Sequence, residues 1–202
     1  TAGADRLMCV DLHTSQIQGF FDGPLDHLFA IPVLAEYIKS RVENPENVTV
    51  VSPDTGRVRV AEHWATLLGG APLAFVHKTR DINVPNQAVS KTVVGEIEGR
   101  SCVLIDDMID TGGTIAGAVN VLKEKGAKEV IIAATHPVFS GPAVERLSGC
   151  GASEVVVTNT LPLPDDKRFE NLTVLSIAPL VARAIREVFD EGSVTNIFND
   201  HA

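Results

Sequence analysis

The 202 residues predict an α/β fold in three layers, a parallel β-sheet with helices on both faces. Three observations carry that expectation. Strand-like and helical segments alternate along the chain, the pattern of successive βα units. Residues 102–105 (Cys-Val-Leu-Ile) and the middle of 129–135 (Glu-Val-Ile-Ile-Ala-Ala-Thr) are continuous apolar runs, as strands covered on both faces require. The first of these runs ends in acids and then glycines, with Asp106 at its carboxyl end and Thr111-Gly112-Gly113-Thr114 leading into a helix. The carboxyl ends of strands are where open α/β sheets bind ligands.

Taken in order, residues 7–12 (Leu-Met-Cys-Val-Asp-Leu) read as a strand that delivers His13 at its carboxyl end, before an apolar stretch at 17–21. Alone, His13 is either a hydrogen-bonded structural residue or a ligand. Residues 32–42 have helical spacing at Val33, Leu34, Tyr37, Ile38 and Val42, with Pro32 suited to the first turn. Glu43-Asn44-Pro45-Glu46-Asn47 breaks the pattern and marks a domain boundary. A strand at 48–51 ends in Ser52-Pro53-Asp54-Thr55-Gly56, which reads as a turn or as a ligand loop. The helical segment 57–69 is spaced by Val60, Trp64, Leu67 and Leu68, stops at Gly69-Gly70, and uses Trp64 as a core anchor.

The strand 73–76 brings His77, Lys78, Thr79 and Arg80 to its end, and residues 81–91 lack periodicity, as a mobile loop would. Lys78 and Arg80 are then either solvated cations or a phosphate clamp. A short strand at 92–97 precedes the acidic-glycine run, and the helix after it extends to Lys125-Gly126. Ser140-Gly141-Pro142 reads as a capped helix start. Strands at 154–158 and 172–176 follow, and the amphipathic helix 179–189 sets Leu180, Val181, Ala184, Ile185 and Val188 on one face.

Composition narrows the function classes. A formal charge of −9 argues against a general nucleic-acid binder, while a nucleotide needs only a few placed cations. No apolar run approaches the roughly 18 residues of a membrane span. Cys9, Cys102 and Cys150 have neither CxxC spacing nor a secretory segment beside them, and read as reduced core residues. The chain begins at Thr1 without an initiator methionine, and residues 1–5 resemble a helix end running into a strand, so a fragment is expected.

The glycines at the helix start would present backbone N–H groups to a phosphate. Asp106 and Asp110 flank that loop and suit the vicinal hydroxyls of a phosphorylated sugar; alternatively, Asp110 caps the helix. Phosphoryl chemistry needs positive charge on the transferring oxygens, from a divalent cation with Lys or Arg. Asp54 suits the metal, and Lys78 and Arg80 suit the polyphosphate.

The run Asp11-Leu12-His13-Thr14-Ser15-Gln16-Ile17-Gln18-Gly19-Phe20-Phe21-Asp22-Gly23-Pro24-Leu25-Asp26, with Ser52-Pro53-Asp54, Lys78-Thr79-Arg80 and the loop from Asp106 to Thr114, resembles the carboxyl-terminal portion of the ribose-phosphate pyrophosphokinases. The resemblance implies a sheet of the phosphoribosyltransferase type. It divides the chain into a remnant of a first such domain (1–44) and a second (45–202), whose last helix returns to the first. It also implies magnesium–ATP contacts at His13 and Asp54, a catalytic lysine at Lys78, and ribose 5-phosphate contacts at Arg80, Asp106, Asp110, Thr111, Gly112, Gly113 and Thr114. Arg80 joins Lys78 in stabilising charge on the transferring phosphates. The implied reaction moves the diphosphoryl group of ATP to the 1-hydroxyl of ribose 5-phosphate, giving phosphoribosyl pyrophosphate and AMP for nucleotide biosynthesis. The implied setting is a cytoplasmic homo-oligomer, a hexamer, without membrane or nucleic-acid partners.

The family often has two glycines after the Asp54 position, where this chain has Gly56-Arg57. Two other readings are a phosphoribosyltransferase and a non-catalytic nucleotide-binding regulatory subunit of a synthetase. Because the family's amino-terminal half supplies much of the adenine site, the isolated 202-residue chain is expected to turn over poorly. A coupled AMP-release assay checks this, and turnover equal to that of an intact synthetase would refute it.

Overall fold

The computed structural model describes residues 2–54, 56, 58–79 and 90–199. Two short strands, β1 (Leu7–Val10) and β2 (Leu25–Leu28), form a separate parallel pair with Leu7 opposite Leu25 and Val10 opposite Leu28. Strand β2 escapes the sequence reading because Leu-Asp-His-Leu is too short to show a period. Between the two strands, Ser15–Phe20 forms a 3-10 helix.

Helix α1 (Ile31–Arg41) follows, and the broken pattern after it is a 3-10 turn at Pro45–Asn47. Next come β3 (Val48–Ser52), α2 (Val58–Leu67), β4 (Leu73–Thr79) and β5 (Ser90–Val94). Then the alternation is regular: β6 (Ser101–Ile109), α3 (Gly113–Glu124), β7 (Glu129–Pro137), α4 (Ala143–Gly149), β8 (Glu154–Thr158) and β9 (Leu172–Leu175). Helices α5 (Ala178–Phe189) and α6 (Asn196–Asn199) close the described chain.

The main sheet has the order β5-β4-β3-β6-β7-β8-β9. Its pairs are parallel except at one edge, where β5 runs antiparallel to β4. The sheet is thus mostly parallel, as expected, with one antiparallel edge strand, a pairing that needs no crossover between successive strands. The edge strand also begins at Ser90 rather than Thr92, so Ser90 and Lys91 belong to it and not to the expected loop; residues 80–89 lie outside the described residues.

Period-two alternation divides the core. In β6, Val103 and Ile105 join the residues of α1, α2 and α5, whereas Cys102 and Leu104 join those of α3 and α4. The result is three layers with a fully covered central sheet, as parallel strands demand. Trp64 is 2% exposed and anchors α2, as expected. On α5, Leu180 and Ala184 are buried, but Ile185 is 53% exposed, which narrows the expected apolar face. Ser140 does not cap α4 with its side chain; Pro142 takes the cap position, and the Ser140 carbonyl accepts from the Ala143 N–H at 3.2 Å. Cys102 and Cys150 are buried, and burial pushes the Cys102 thiol up to about 12. Among the described residues no helix is long and apolar enough to cross a membrane.

One buried charge ties α1 to the sheet. Glu154, 7% exposed, accepts hydrogen bonds from Tyr37 Oη at 2.6 Å, Arg41 Nε at 3.0 Å and the Thr173 hydroxyl. A carboxylate leaves water at high cost unless its oxygens are hydrogen-bonded, and these three donors satisfy both of them. The bond to Glu154 also raises the Tyr37 phenol above its usual range. Tyr37→Phe should therefore cost about 1–2 kcal/mol of stability. Urea unfolding measures it, and an unchanged midpoint would remove the bond from the fold's support.

Candidate active site

The strand order reverses between β3 and β6: from β3 the chain moves outward to β4, and from β6 it moves the other way through β7 to β9. Loops leaving such a reversal diverge and leave a crevice beyond the carboxyl ends of the strands. A cleft of about 240 Å³ occupies that position. It is lined by Asp54 after β3, by residues 106–115 around the β6–α3 turn, and by His13 after β1.

The acidic run is longer as a strand than its apolar part suggested. Ladder pairing continues through Asp106 opposite Ala134 to Ile109 opposite Pro137, so Asp106 and Asp107 lie within β6 rather than at its end. The Asp107 N–H donates to Asp106 Oδ1 at 2.9 Å. Beyond the strand, the turn is held by bonds to its carbonyls: the Phe139 N–H donates to Ile109 O, the Ser140 N–H to Asp110 O, and Arg146 Nη1 to Thr111 O at 2.9 Å. Gly112 then takes the cap position with φ 71°, a left-handed conformation, and no side chain caps the helix. Asp110 is accordingly free of the capping role and exposed at the cleft.

The first intrahelical bond of α3 runs from the Ala116 N–H to Gly112 O at 2.9 Å. Helix geometry leaves the N–H groups of Gly113, Thr114 and Ile115 without intrahelical acceptors, and all three residues line the cleft. Such a turn takes an anion, through both the donors and the helix dipole.

His13 reaches this cleft from the other sheet. Its Nδ1 lies 2.7 Å from Asp107 Oδ2, with the imidazole side chain 57% exposed and the carboxylate 10% exposed. An acid on one ring nitrogen fixes the ring's orientation. Asp54 is exposed and lines the same cleft, and its Oδ1 accepts the Gly56 N–H at 2.9 Å. The structure brings together His13, Asp54, Asp106, Asp110, Thr111, Gly112, Gly113 and Thr114. The Lys78 backbone pairs with Lys91 between β4 and β5, while Arg57 and Arg80 lie outside the described residues.

The sequence reading missed Asp107 as the partner of His13, although it stands beside Asp106 at a strand's carboxyl end. It also missed Thr135 and His136 at the end of β7, the next strand over, where the same rule applies. An adjoining cavity of about 460 Å³ shares His13, Asp106 and Asp107 with the cleft and adds Asp11, His27, Arg59, His63 and Thr135. The apolar-face residue Val60 lines this cavity and is 39% exposed, so it is not core.

Among the described residues no group of three or more His, Cys, Asp or Glu side chains could cage a metal ion. Magnesium seldom needs such a cage, since one or two carboxylates plus substrate phosphates and waters complete its octahedron. The carboxylate of Asp54, exposed at the cleft, fits that mode.

The model of the phosphoribosyl synthetase-associated domain family matches residues 71–199. The chain belongs to this family. A ribose-phosphate pyrophosphokinase of Bifidobacterium longum is 64% identical over 202 residues, 100% of this chain and 59% of that protein. One of Mycobacterium tuberculosis is 65% identical, again over the whole chain and 62% of its own length. The crystal structure of phosphoribosylpyrophosphate synthetase from Mycobacterium smegmatis superposes with a TM-score of 0.86 at 63% identity, covering 95% of this chain and 61% of that one. The chain thus spans about three fifths of the length of these relatives.

The turn before α3 rests on its left-handed glycine. A Cβ on Gly112 would meet Ala143 O and Leu147 Cγ at 3.5 Å, ordinary contact, so the penalty for alanine lies in the backbone. Gly112→Ala should lose about 1–2 kcal/mol. Equal stability to urea would show that the turn does not need a left-handed residue.

Proposed function

We propose that the chain forms the ribose 5-phosphate half, and part of the ATP half, of a ribose-phosphate pyrophosphokinase. The observation that carries the reading is the contact of His13 with Asp107. It joins the distinctive run from Asp11 to Asp26 to the rim of an anion-binding turn that many sugar-phosphate enzymes could use.

In this reading the sugar phosphate sits on the N–H groups of Gly113, Thr114 and Ile115, while Asp106 and Asp110 accept hydrogen bonds from its hydroxyls. The anomeric hydroxyl attacks the β-phosphorus of ATP, the new bond forms to the 1-oxygen, and the bond to the α-phosphate oxygen breaks to release AMP. Lys78 and Arg80, from the end of β4 and the residue after it, stabilise the charge that builds on the transferring oxygens. His13, oriented by Asp107, and Asp54 hold the magnesium–ATP end, His13 through water or an ATP oxygen. Bound there, magnesium supplies charge neutralisation on the polyphosphate. The division of the chain at residues 44–45, a hexameric assembly, a cytoplasmic location and a role in nucleotide biosynthesis belong to the same proposal.

The family description names a synthetase-associated domain, which gives the non-catalytic regulatory reading its own support. Replacement of the lysine separates the two. Lys78→Ala in the full gene product should lower kcat for AMP release by about 100-fold or more, as loss of one charge-stabilising donor does elsewhere. Calorimetric titration of ribose 5-phosphate should remain close to wild type. Turnover unchanged by the substitution would remove Lys78 from the mechanism and favour the binding module.

A further inference from the structure

His13 follows β1 of the small sheet and the anion-binding turn follows β6 of the large one, and among the described residues no ladder pairing connects the two sheets. Their alignment at 2.7 Å therefore needs some other tie between β1 and the main sheet. Asp11, two residues before His13, has φ 42°, a left-handed conformation costly for a residue with a Cβ. Such strain persists only where the surroundings over-determine it.

The surroundings of Asp11 do so from three sides. Its Oδ2 accepts the Ala30 N–H at 2.9 Å and the Thr135 hydroxyl at 2.6 Å. Its carbonyl and that of Val10 lie 3.1 and 3.0 Å from His136 Nε2, which faces two acceptors and must carry the proton. The next residue, Leu12, donates its N–H to His27 Nε2 at 2.8 Å, so that nitrogen is bare. Burial lowers the His27 pKa, against a smaller raising effect of the Asp11 charge, in keeping with a neutral ring. Thr135 is 2% exposed and sits on β7, beside the strand that carries Asp107.

We propose that Asp11 is a positioning residue: latched to Thr135 across the gap between the sheets, it holds the left-handed turn that presents His13 to Asp107. The carboxylate acts by accepting from fixed donors, with one oxygen committed to both Ala30 and Thr135. His27 and His136 hold the same turn through its backbone. The phosphate turn is held separately, by Ser140 and Arg146, so the latch governs His13 without governing the sugar-phosphate site.

The test uses Thr135→Val, which keeps the shape and removes the donor, Thr135→Ser, which keeps the donor, and Asp11→Asn, which keeps tolerance of the left-handed backbone. The direct readout is the pair of His13 ring-nitrogen signals in long-range proton–nitrogen NMR of the 202-residue chain. Thr135→Val and Asp11→Asn should shift both signals toward those of a free imidazole, and Thr135→Ser should restore the wild-type pair. Ribose 5-phosphate affinity should stay within about threefold, because its turn has other supports. Unmoved His13 signals in Thr135→Val and Asp11→Asn would overturn the latch, and so would a Thr135→Ser variant that fails to restore them.

The consequence for turnover rests on the function proposed above and is read separately. In the full gene product, Thr135→Val should lower kcat by about 10- to 100-fold, the effect of a misplaced group, with KM for ribose 5-phosphate little changed. Shifted His13 signals with unchanged kcat would leave the latch standing and overturn only the role of His13 in catalysis.

Discussion

The candidate site depends on one constraint of the parallel sheet, that strands which run the same way end together. β3, β6 and β7 bring Asp54, the Asp106–Asp107 pair and Thr135 to a common edge, and the reversal of strand order between β3 and β6 keeps that edge open. The crevice needs no dedicated element, since it is the gap left where one connection turns left and the other right. Covering both faces with helices then fixes the floor, because Val103 and Ile105 are locked on one side and Cys102 and Leu104 on the other.

What could be read from the sequence follows the same logic. Strands β6, β7 and β8 were legible because burial on both faces demands unbroken apolar runs, and the turn at Gly112 was legible because acids and glycines interrupt such a run abruptly. β2 was not legible, being four residues with no sustained period, and the antiparallel edge was not, since direction leaves no mark on a short segment. Asp106 and Asp110, singled out by their positions around the glycines, both line the cleft. Asp107 was passed over because local sequence assigns it only to a strand end, whereas its role comes from His13, 94 positions away. Thr135 and His136 share that character: each contact crosses more than 120 positions of sequence.

The division between the two sheets gives the site an asymmetry. The phosphate turn is built from one continuous stretch, strand to turn to helix, and its supports come from the neighbouring loop at 139–146. The His13 segment has only the short β1–β2 ladder beneath it and must borrow rigidity from the main sheet, through Asp11, His136 and the packing of α1. The turn is thus set by local geometry and the histidine by long-range contacts. A change in β7 can disturb one without the other.

The electrostatics of the cleft complete the argument. Asp54, Asp106, Asp107 and Asp110 all line it, in a chain of formal charge −9, yet the proposed substrates are polyanions. Like charges within a few ångströms repel strongly in a partly dry site, so the arrangement works only if carboxylates and phosphates occupy different parts of it. The helix start provides that separation: at Gly113, Thr114 and Ile115 the lining is backbone N–H, neutral in formal charge and positive in potential. Acids along β6 can then meet hydroxyls, to which they are acceptors, while Asp107 is held beside an imidazole. In the proposed function the polyphosphate end takes its counter-charge from Lys78 and Arg80 or from a bound cation. On the proposed function, a site that lacked those charges would retain affinity for a sugar phosphate and lose it for a nucleotide, which makes Lys78 and Arg80, rather than the more visible glycine turn, the residues that would separate a diphosphate-transferring cleft from a simple sugar-phosphate pocket.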